Sequence, residues 1–489
     1  MSADAVIVGT GPNGLAAAVT LARAGLAVRV YEAADDIGGG LRSTPLFRSD
    51  VRHDICAAVH PMAQASAFFR EFDLAARGVD LVTPEISYAH PLPAGRAALA
   101  YHSLDRTCAE LGADGGAWRA LMGPLVARSQ ALVDFVLSGQ RGLPTDPVVL
   151  ARFAEGVLRQ GTPLAARQFT GDAAPALFAG VAAHVIGRLP TPVSASVGLL
   201  LGHLAHSTGW ALPRGGSVRI AEAMAADLLA HGGKITTGQR ITDIREVRDA
   251  RVVLLDVGVQ EFLTLAGRWL PAGYRRALRS FRYGPGAAKV DFLVGGPIPW
   301  ANPSVGGAGT VHLGGRAAAV HRAESRVAQG LPAAEPFVLV VDPAAVDPSR
   351  ARDGQRPVWA YAHVPNDDPT DPGDLVTARI EQYAPGFTDT VIARRGVSAR
   401  ALERYNPNYV GGDIAAGAMT LRQALFRPVP RWNPYRTPLS GVYLCSASTP
   451  PGPGVHGMAG HLAAVSALRS DFGIRTSPSL RPTTRERAG

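Results

Sequence analysis

Three glycines, Gly9, Gly11 and Gly14, fall in Val6-Ile-Val-Gly-Thr-Gly-Pro-Asn-Gly with the GxGxxG spacing that lets a backbone approach a dinucleotide pyrophosphate. The first serves a tight turn, the second close approach to phosphate, and the third close packing of a helix on a sheet. The phosphates then lie on the helix N-terminus, which puts Pro12 and Asn13 beside them. Glu32 stands 18 positions after Gly14, near the separation of about 20 residues at which a carboxylate accepts from ribose hydroxyls and repels a 2′-phosphate. The context suits the motif. Val6 to Val8 reads as a buried parallel strand, Ala16 to Ala24 as a helix packed on it, and Ala27 to Glu32 as the second strand of a βαβ unit.

Beyond Glu32 and Ala33 the chain carries a glycine run, Gly38, Gly39 and Gly40, with Arg42 close behind. An acid-ended second strand followed by a glycine doublet and an arginine resembles the FAD-binding opening of the amine oxidase and phytoene desaturase superfamily. The layout is most similar to the bacterial phytoene-dehydrogenase-related oxidoreductases. That resemblance implies FAD as cofactor, with backbone at Gly38 and Gly39 against the pyrophosphate and flavin and Arg42 nearby. It extends to a middle block, Pro213 to Ile244, where a helix returns to the sheet and backbone at Ile241 meets the adenine. It extends also to the closing block Gly441 to Gly460. There Gly452, Gly454 and Gly457 spell a further GxGxxG, but no acid-ended strand follows. The block looks instead like the superfamily's terminal FAD signature, in which Ser446, Gly454, Val455 and His456 contact the cofactor and a helix N-terminus favours negative charge on the flavin. Ser446 stands where the family usually has glycine.

Two residues are candidates for the chemistry itself. Lys289 lies in an apolar strand-like run ahead of a proline-and-tryptophan turn. By resemblance to amine oxidases it holds a water at the flavin; the other reading is a lysine snorkelling from an exposed strand face. His60, before Pro61, either faces the substrate or caps a turn. Cys56 stands where the related flavoenzymes usually carry glycine. The polar loop Tyr405 to Asp413 is read either as a set of substrate contacts or as a structural turn.

The elements that must position these residues follow from composition and punctuation. With 489 residues, 47% hydrophobic and 18% charged, the chain is an ordinary globular protein with room for two joined domains. The fold class expected is α/β: a Rossmann-like FAD-binding domain of the glutathione-reductase-like, amine oxidase type, interleaved with a mixed α+β substrate domain carrying a helical cap. The pieces are FAD-binding segments 1–85, 211–285 and 436–474, substrate-domain segments 86–210 and 286–435, and a disordered tail over 475–489. Helices are expected over 104–111, 116–138, 148–159, 173–185 and 194–206, with a hairpin at 86–102. The helical block serves as a ligand-accommodating cap or as plain core.

The net charge of +9 comes from scattered arginines, so no nucleic-acid stripe is present. It reads as a solvated basic surface or as attraction to an anionic membrane. Three cysteines, Cys56, Cys108 and Cys445, form no CxxC, which removes a zinc ribbon and the redox pair of flavin disulfide reductases; no metal is expected. The first strand begins near residue 4, leaving no room for a signal peptide, and the apolar runs are too short to span a bilayer. A cytoplasmic protein is expected, with peripheral contact at the inner membrane face. The function expected is an FAD-dependent dehydrogenase or oxidase taking a hydride from a C–H bond of a small hydrophobic or cyclic substrate. Quinone or O2 would accept the electrons, since no second nucleotide unit is visible. Two alternatives remain: a redox-neutral flavin-dependent polyene isomerase, and a flavin-free escort or binding protein of the same architecture.

Overall fold

The computed structural model describes residues 3–138, 144–163, 165 and 168–482. Strand β1 (Ala5–Val8), helix α1 (Pro12–Arg23) and strand β2 (Val28–Tyr31) form the opening βαβ unit. Every residue of β1 is buried, as expected for the centre of a parallel sheet covered on both faces. Pro12 at the first turn of α1 costs the helix nothing, because the N–H it lacks has no partner inside a first turn.

The sheet around β1 has five parallel strands, in the order Val442–Leu444, Val252–Leu255, β1, β2, Lys234–Thr236. It is therefore assembled from stretches more than 400 residues apart in sequence. α1 is sandwiched between this sheet and two further helices, Val218–Ala230 and Met458–Asp471. Ligands bind such sheets beyond the carboxyl ends of the strands, where the order reverses about the central one.

A second, mixed sheet has seven strands, in the order Val391–Val397, Gly286–Val294, Arg356–Val364, Val338–Val341, Ala308–Leu313, Ile86–Pro91, Ala97–Tyr101. Only Ala308–Leu313 and Ile86–Pro91 run parallel; the remaining pairs are antiparallel. The edge strand Val391–Val397 escapes sequence reading. Exposed Arg394 and Arg395 break its apolar pattern, as charges on edge strands do. Helix Ala173–Ala182 packs on one face of this sheet, Pro192–Ala205 packs on that helix and Pro147–Gln160 on Pro192–Ala205, and all three share a core with Trp118, Trp210 and Phe337.

Two expectations need correction. The single helix over 116–138 is two, Gly115–Val126 and Ser129–Leu137, bent by 67°. Pro124 removes a backbone donor in the last turn of the first and ends it. The segment from Arg475 is not a free tail as far as it is described. Leu480 is fully buried, its N–H donates to Glu71 Oε1 at 3.0 Å, and Arg23 and Arg77 donate to the carbonyls of Arg481 and Leu480. Residues 483–489 lie outside the described residues. Among the described residues no single helix is long and apolar enough to cross a membrane.

Candidate cofactor cleft and adjoining cavity

A cleft of about 510 Å³ runs from Glu32 past the glycine loop to Gly454. Its floor is shaped by absent side chains. A Cβ on Gly14 would collide with the carbonyl of Gly9, and one on Gly11 with the carboxylate of Asp256. Gly39 lies so close that a Cβ there would sit 3.1 Å from the Cα of Gly11. The two glycine runs thus pack backbone on backbone, which only glycine allows.

Gly9, Gly11, Pro12, Asn13, Ala33, Gly39, Gly40, Ile241, Ser446, Gly454 and Val455 all face this cleft, as expected from the sequence. Three expected contacts do not. Gly14 lies beneath, its N–H donating to Asp256 Oδ2 at 2.9 Å. Gly38 takes a left-handed turn with φ of 107° against Ala221 and donates its N–H to the Thr10 carbonyl. His456 is turned into its own loop: Nε2 donates to the Gly452 carbonyl, and Nδ1 accepts from Met458 N–H. It caps the loop and faces neither cavity. Ile241 follows the Lys234–Thr236 strand in an extended segment rather than standing within it.

Glu32 ends β2 inside the cleft. One of its carboxylate oxygens accepts from the Thr10 N–H at 2.9 Å and the Thr10 hydroxyl at 2.5 Å; the other accepts from Ala34 N–H and, at 3.1 Å, from Arg42 Nη2. The arginine is held over the ring of Tyr405. Tyr405, Asn406, Asn408 and Tyr409 close over this first cleft, so the 405–413 loop lies against the glycine loops and not against the second cavity.

Asp256, just beyond the Val252–Leu255 strand, is a residue of the cleft that no motif marks. It lies directly under the glycine loop, and burial, reinforced by the charge of Glu32, pushes its pKa up to about 7 despite bonds from the Gly14 and Gly11 N–H groups. Such a contact, between residues 242 positions apart, leaves no local signal.

Lys289 is not on an exposed face. It is buried on the Gly286–Val294 strand, donating to the Ile55 carbonyl at 2.6 Å and pairing with Asp291 at 2.8 Å, and it borders the cleft next to Trp359 and Tyr361. Asp291 is held above the usual carboxylate range by burial, opposed by the ammonium of Lys289. Trp359 Nε1 also donates to the Ile55 carbonyl.

A second cavity of about 350 Å³ adjoins the cleft along Cys56, Ala57, Trp359, Tyr361 and the Pro453–Val455 turn. Its wall is mostly aliphatic, from Val136, Ile186, Val197, Leu200 and Leu201. Among the described residues no Asp or Glu lines it. The helical block therefore supplies one wall of a cavity as well as core. His60 borders this cavity, yet its ring is fixed. Ser217 Oγ donates to the Ala57 carbonyl and so accepts from His60 Nε2 at 2.8 Å. Burial lowers the pKa of His60 to about 4, so at neutral pH it is an uncharged prop for the loop.

Residues 7–72 match the family model described as an NAD(P)-binding Rossmann-like domain. Solved structures similar over nearly the whole chain include an oxidoreductase from Methanosarcina mazei (TM-score 0.59, 17% identity, 95% of this chain and 100% of that one). Another is wild-type putrescine oxidase bound to putrescine (TM-score 0.56, 17% identity, 96% and 98%). The chain thus shares its mixed α/β fold, with a Rossmann-like domain, with these solved structures, putrescine oxidase among them. Among sequences, the chain is 29% identical over 327 residues to "Pyridine nucleotide-disulfide oxidoreductase domain-containing protein 2" of Rattus norvegicus, and 30% over 325 residues to that of Mus musculus. Each match takes in 57% of this chain, which spans only 56% of the length of these relatives. The family match identifies a nucleotide-binding Rossmann-like segment at residues 7–72, and the solved structures share the fold of the whole chain.

Proposed function

We propose that the protein is an FAD-dependent oxidoreductase that removes a hydride from a C–H bond of a largely apolar substrate, in the manner of phytoene-dehydrogenase-like desaturation. The observation that carries this reading is the meeting of two spaces. A cleft floored by close-packed glycines opens, at Cys56, Trp359 and Tyr361, onto an apolar cavity large enough for an organic substrate. FAD suits the cleft better than a pyridine nucleotide, because the cleft runs on past the first βαβ unit to the Pro453–Val455 turn, where a flavin ring would adjoin the substrate cavity. Bound there, FAD supplies the hydride-accepting centre.

The protein's own part is binding, orientation and charge. Glu32 receives ribose hydroxyls, Gly11 and Gly39 admit the pyrophosphate, and Arg42 braces Glu32. Lys289, anchored on Ile55 and Asp291, borders the cleft beside Tyr361, which lines both spaces. The aliphatic wall excludes water from the reacting bond. A diamine is a poor candidate, since no carboxylate among the described lining residues would pair with its ammonium groups. Disulfide exchange is equally unsupported, because the three cysteines form no CxxC pair. Quinone or O2 is the acceptor we favour. Membrane contact is supported by exposed Leu421, Leu425, Phe426 and Trp432 near Met419 and Ala424 of the cavity wall, with Arg422 and Arg431 beside them. A cytoplasmic site of action at that surface fits the reading.

The test is the visible spectrum of freshly purified protein, then anaerobic mixing with polyene, cyclic terpenoid and amine fractions. A flavin spectrum bleached by an apolar fraction supports the reading; a colourless protein that FAD cannot reconstitute overturns it. Glu32→Ala is expected to lower flavin retention roughly tenfold, the scale of losing a charged hydrogen bond. Flavin absorbance per protein after gel filtration measures it, and unchanged occupancy removes Glu32 from ribose binding.

A further inference from the structure

Part of the second cavity's wall, away from its junction with the cleft, is polar. His184 and Thr310 stand there among aromatic rings, and neither has been given a function above. Thr310 Oγ1 is buried and has no hydrogen-bond partner among the described residues. On the Ala308–Leu313 strand it shares a face with His312, two residues on, whose Nε2 lies 2.9 Å from Nε2 of His184.

The protons in this pair can be placed. His90 Nε2 faces the Gly315 carbonyl at 2.7 Å and must carry the proton, so its Nδ1 presents a lone pair. That Nδ1 lies against Gly180, and so does Nδ1 of His312: a Cβ on Gly180 would sit 2.5 Å from the first and 2.9 Å from the second. A proton on His312 Nδ1 would be a buried N–H with no acceptor, the rarer kind of orphan. Moved to Nε2, it donates to His184 Nε2 instead. Burial holds both rings neutral, His184 down to about 3. His184 therefore carries its own proton on Nδ1, which has no partner among the described residues, in a ring partly open to the cavity.

We infer that this cavity takes an apolar substrate bearing one hydrogen-bond-accepting oxygen, a carbonyl above all, held by His184 Nδ1–H and the Thr310 hydroxyl with His312 fixing the tautomer. A pure hydrocarbon leaves both donors unpaired, and an alkylammonium offers no acceptor. The inference rests on the second cavity being the substrate site, but binding can be measured whether or not the protein holds a flavin.

The probes are 2-nonanone, nonane and nonylammonium, with vapour depletion above a solution of the full chain as purified for the two volatile compounds and equilibrium dialysis for the third. The ketone is expected to bind at least about tenfold more tightly than the alkane, and Thr310→Val and His184→Phe each to remove most of that preference while leaving nonane affinity unchanged. The carbonyl stretch of bound 2-nonanone should lie below its value in hydrocarbon solvent and move back in Thr310→Val, a near-isosteric change that keeps the test alive if His184→Phe fails to fold. Equal affinity for ketone and alkane, no saturable ketone binding, tighter binding of nonylammonium, or an unchanged preference in Thr310→Val each overturns the inference. A colourless protein that still prefers the ketone would remove the oxidoreductase reading and leave this one standing.

Discussion

Asp256→Asn is expected to abolish a fall in stability between about pH 4 and pH 7 and to tighten FAD binding about tenfold at pH 8. In the folded protein Asp256 titrates near 7, against 3.8 for an ordinary aspartate. Between those values the folded state keeps a proton that the unfolded chain has released. Its contribution is therefore complete below pH 4 and is lost as pH rises toward 7, at up to about 1.4 kcal/mol per unit. Above pH 7 the carboxylate is charged directly beneath Gly11 and Gly14, where a pyrophosphate would lie, and two negative charges oppose each other. Asparagine keeps an oxygen for the Gly14 N–H and carries no charge. Urea denaturation at several pH values, with flavin titration at pH 6 and pH 8, checks both halves. A variant whose stability profile runs parallel to the wild type shows that Asp256 is not the titrating group.

Lys289→Met is expected to slow re-oxidation of photoreduced flavin by air at least about tenfold, since one charge a few ångströms from a developing negative charge is worth a few kcal/mol at protein-like dielectric. The substitution also strands Asp291, a buried partner, which can cost about 3–5 kcal/mol unless it takes up a proton. Lys289→Met combined with Asp291→Leu separates the two effects: stability should recover and oxygen reactivity should not. Stopped-flow absorbance reads the rate, and an unaltered oxygen rate in the double variant removes the lysine from the chemistry.

The parts of this site that were legible in the sequence are those built from neighbours. Gly9 to Gly14, Glu32 and the Gly38–Gly40 run sit within one βαβ unit, where spacing and backbone geometry are the same information. Lys289 announced itself as a charge in an apolar strand, but its partner Ile55 comes from a distant loop, so burial and exposure could not be told apart beforehand. Trp359 with Tyr361, and Thr310 with His312, carry the period-2 signal of one strand face. That signal says they share a side and not which space the side meets. His184 lies in a block of uniformly apolar helices, where no polar stripe marks the inner face. His456 misleads for a related reason: it sits inside a convincing motif, yet the left-handed glycines at Gly454 and Gly457 swing its ring back into the loop.

The five-stranded sheet has a consequence for biogenesis. Its last strand, Val442–Leu444, and the Pro453–Val455 turn that completes the cleft are made after every other strand of that sheet. During synthesis the glycine loop precedes most of its sheet, with β1 waiting for Val252–Leu255 and that strand in turn for Val442–Leu444. The cleft is thus completed only when distant stretches of the chain have met. A polypeptide that stops short of residue 442 carries an intact nucleotide motif and a cleft that lacks the Ser446 and Pro453–Val455 end.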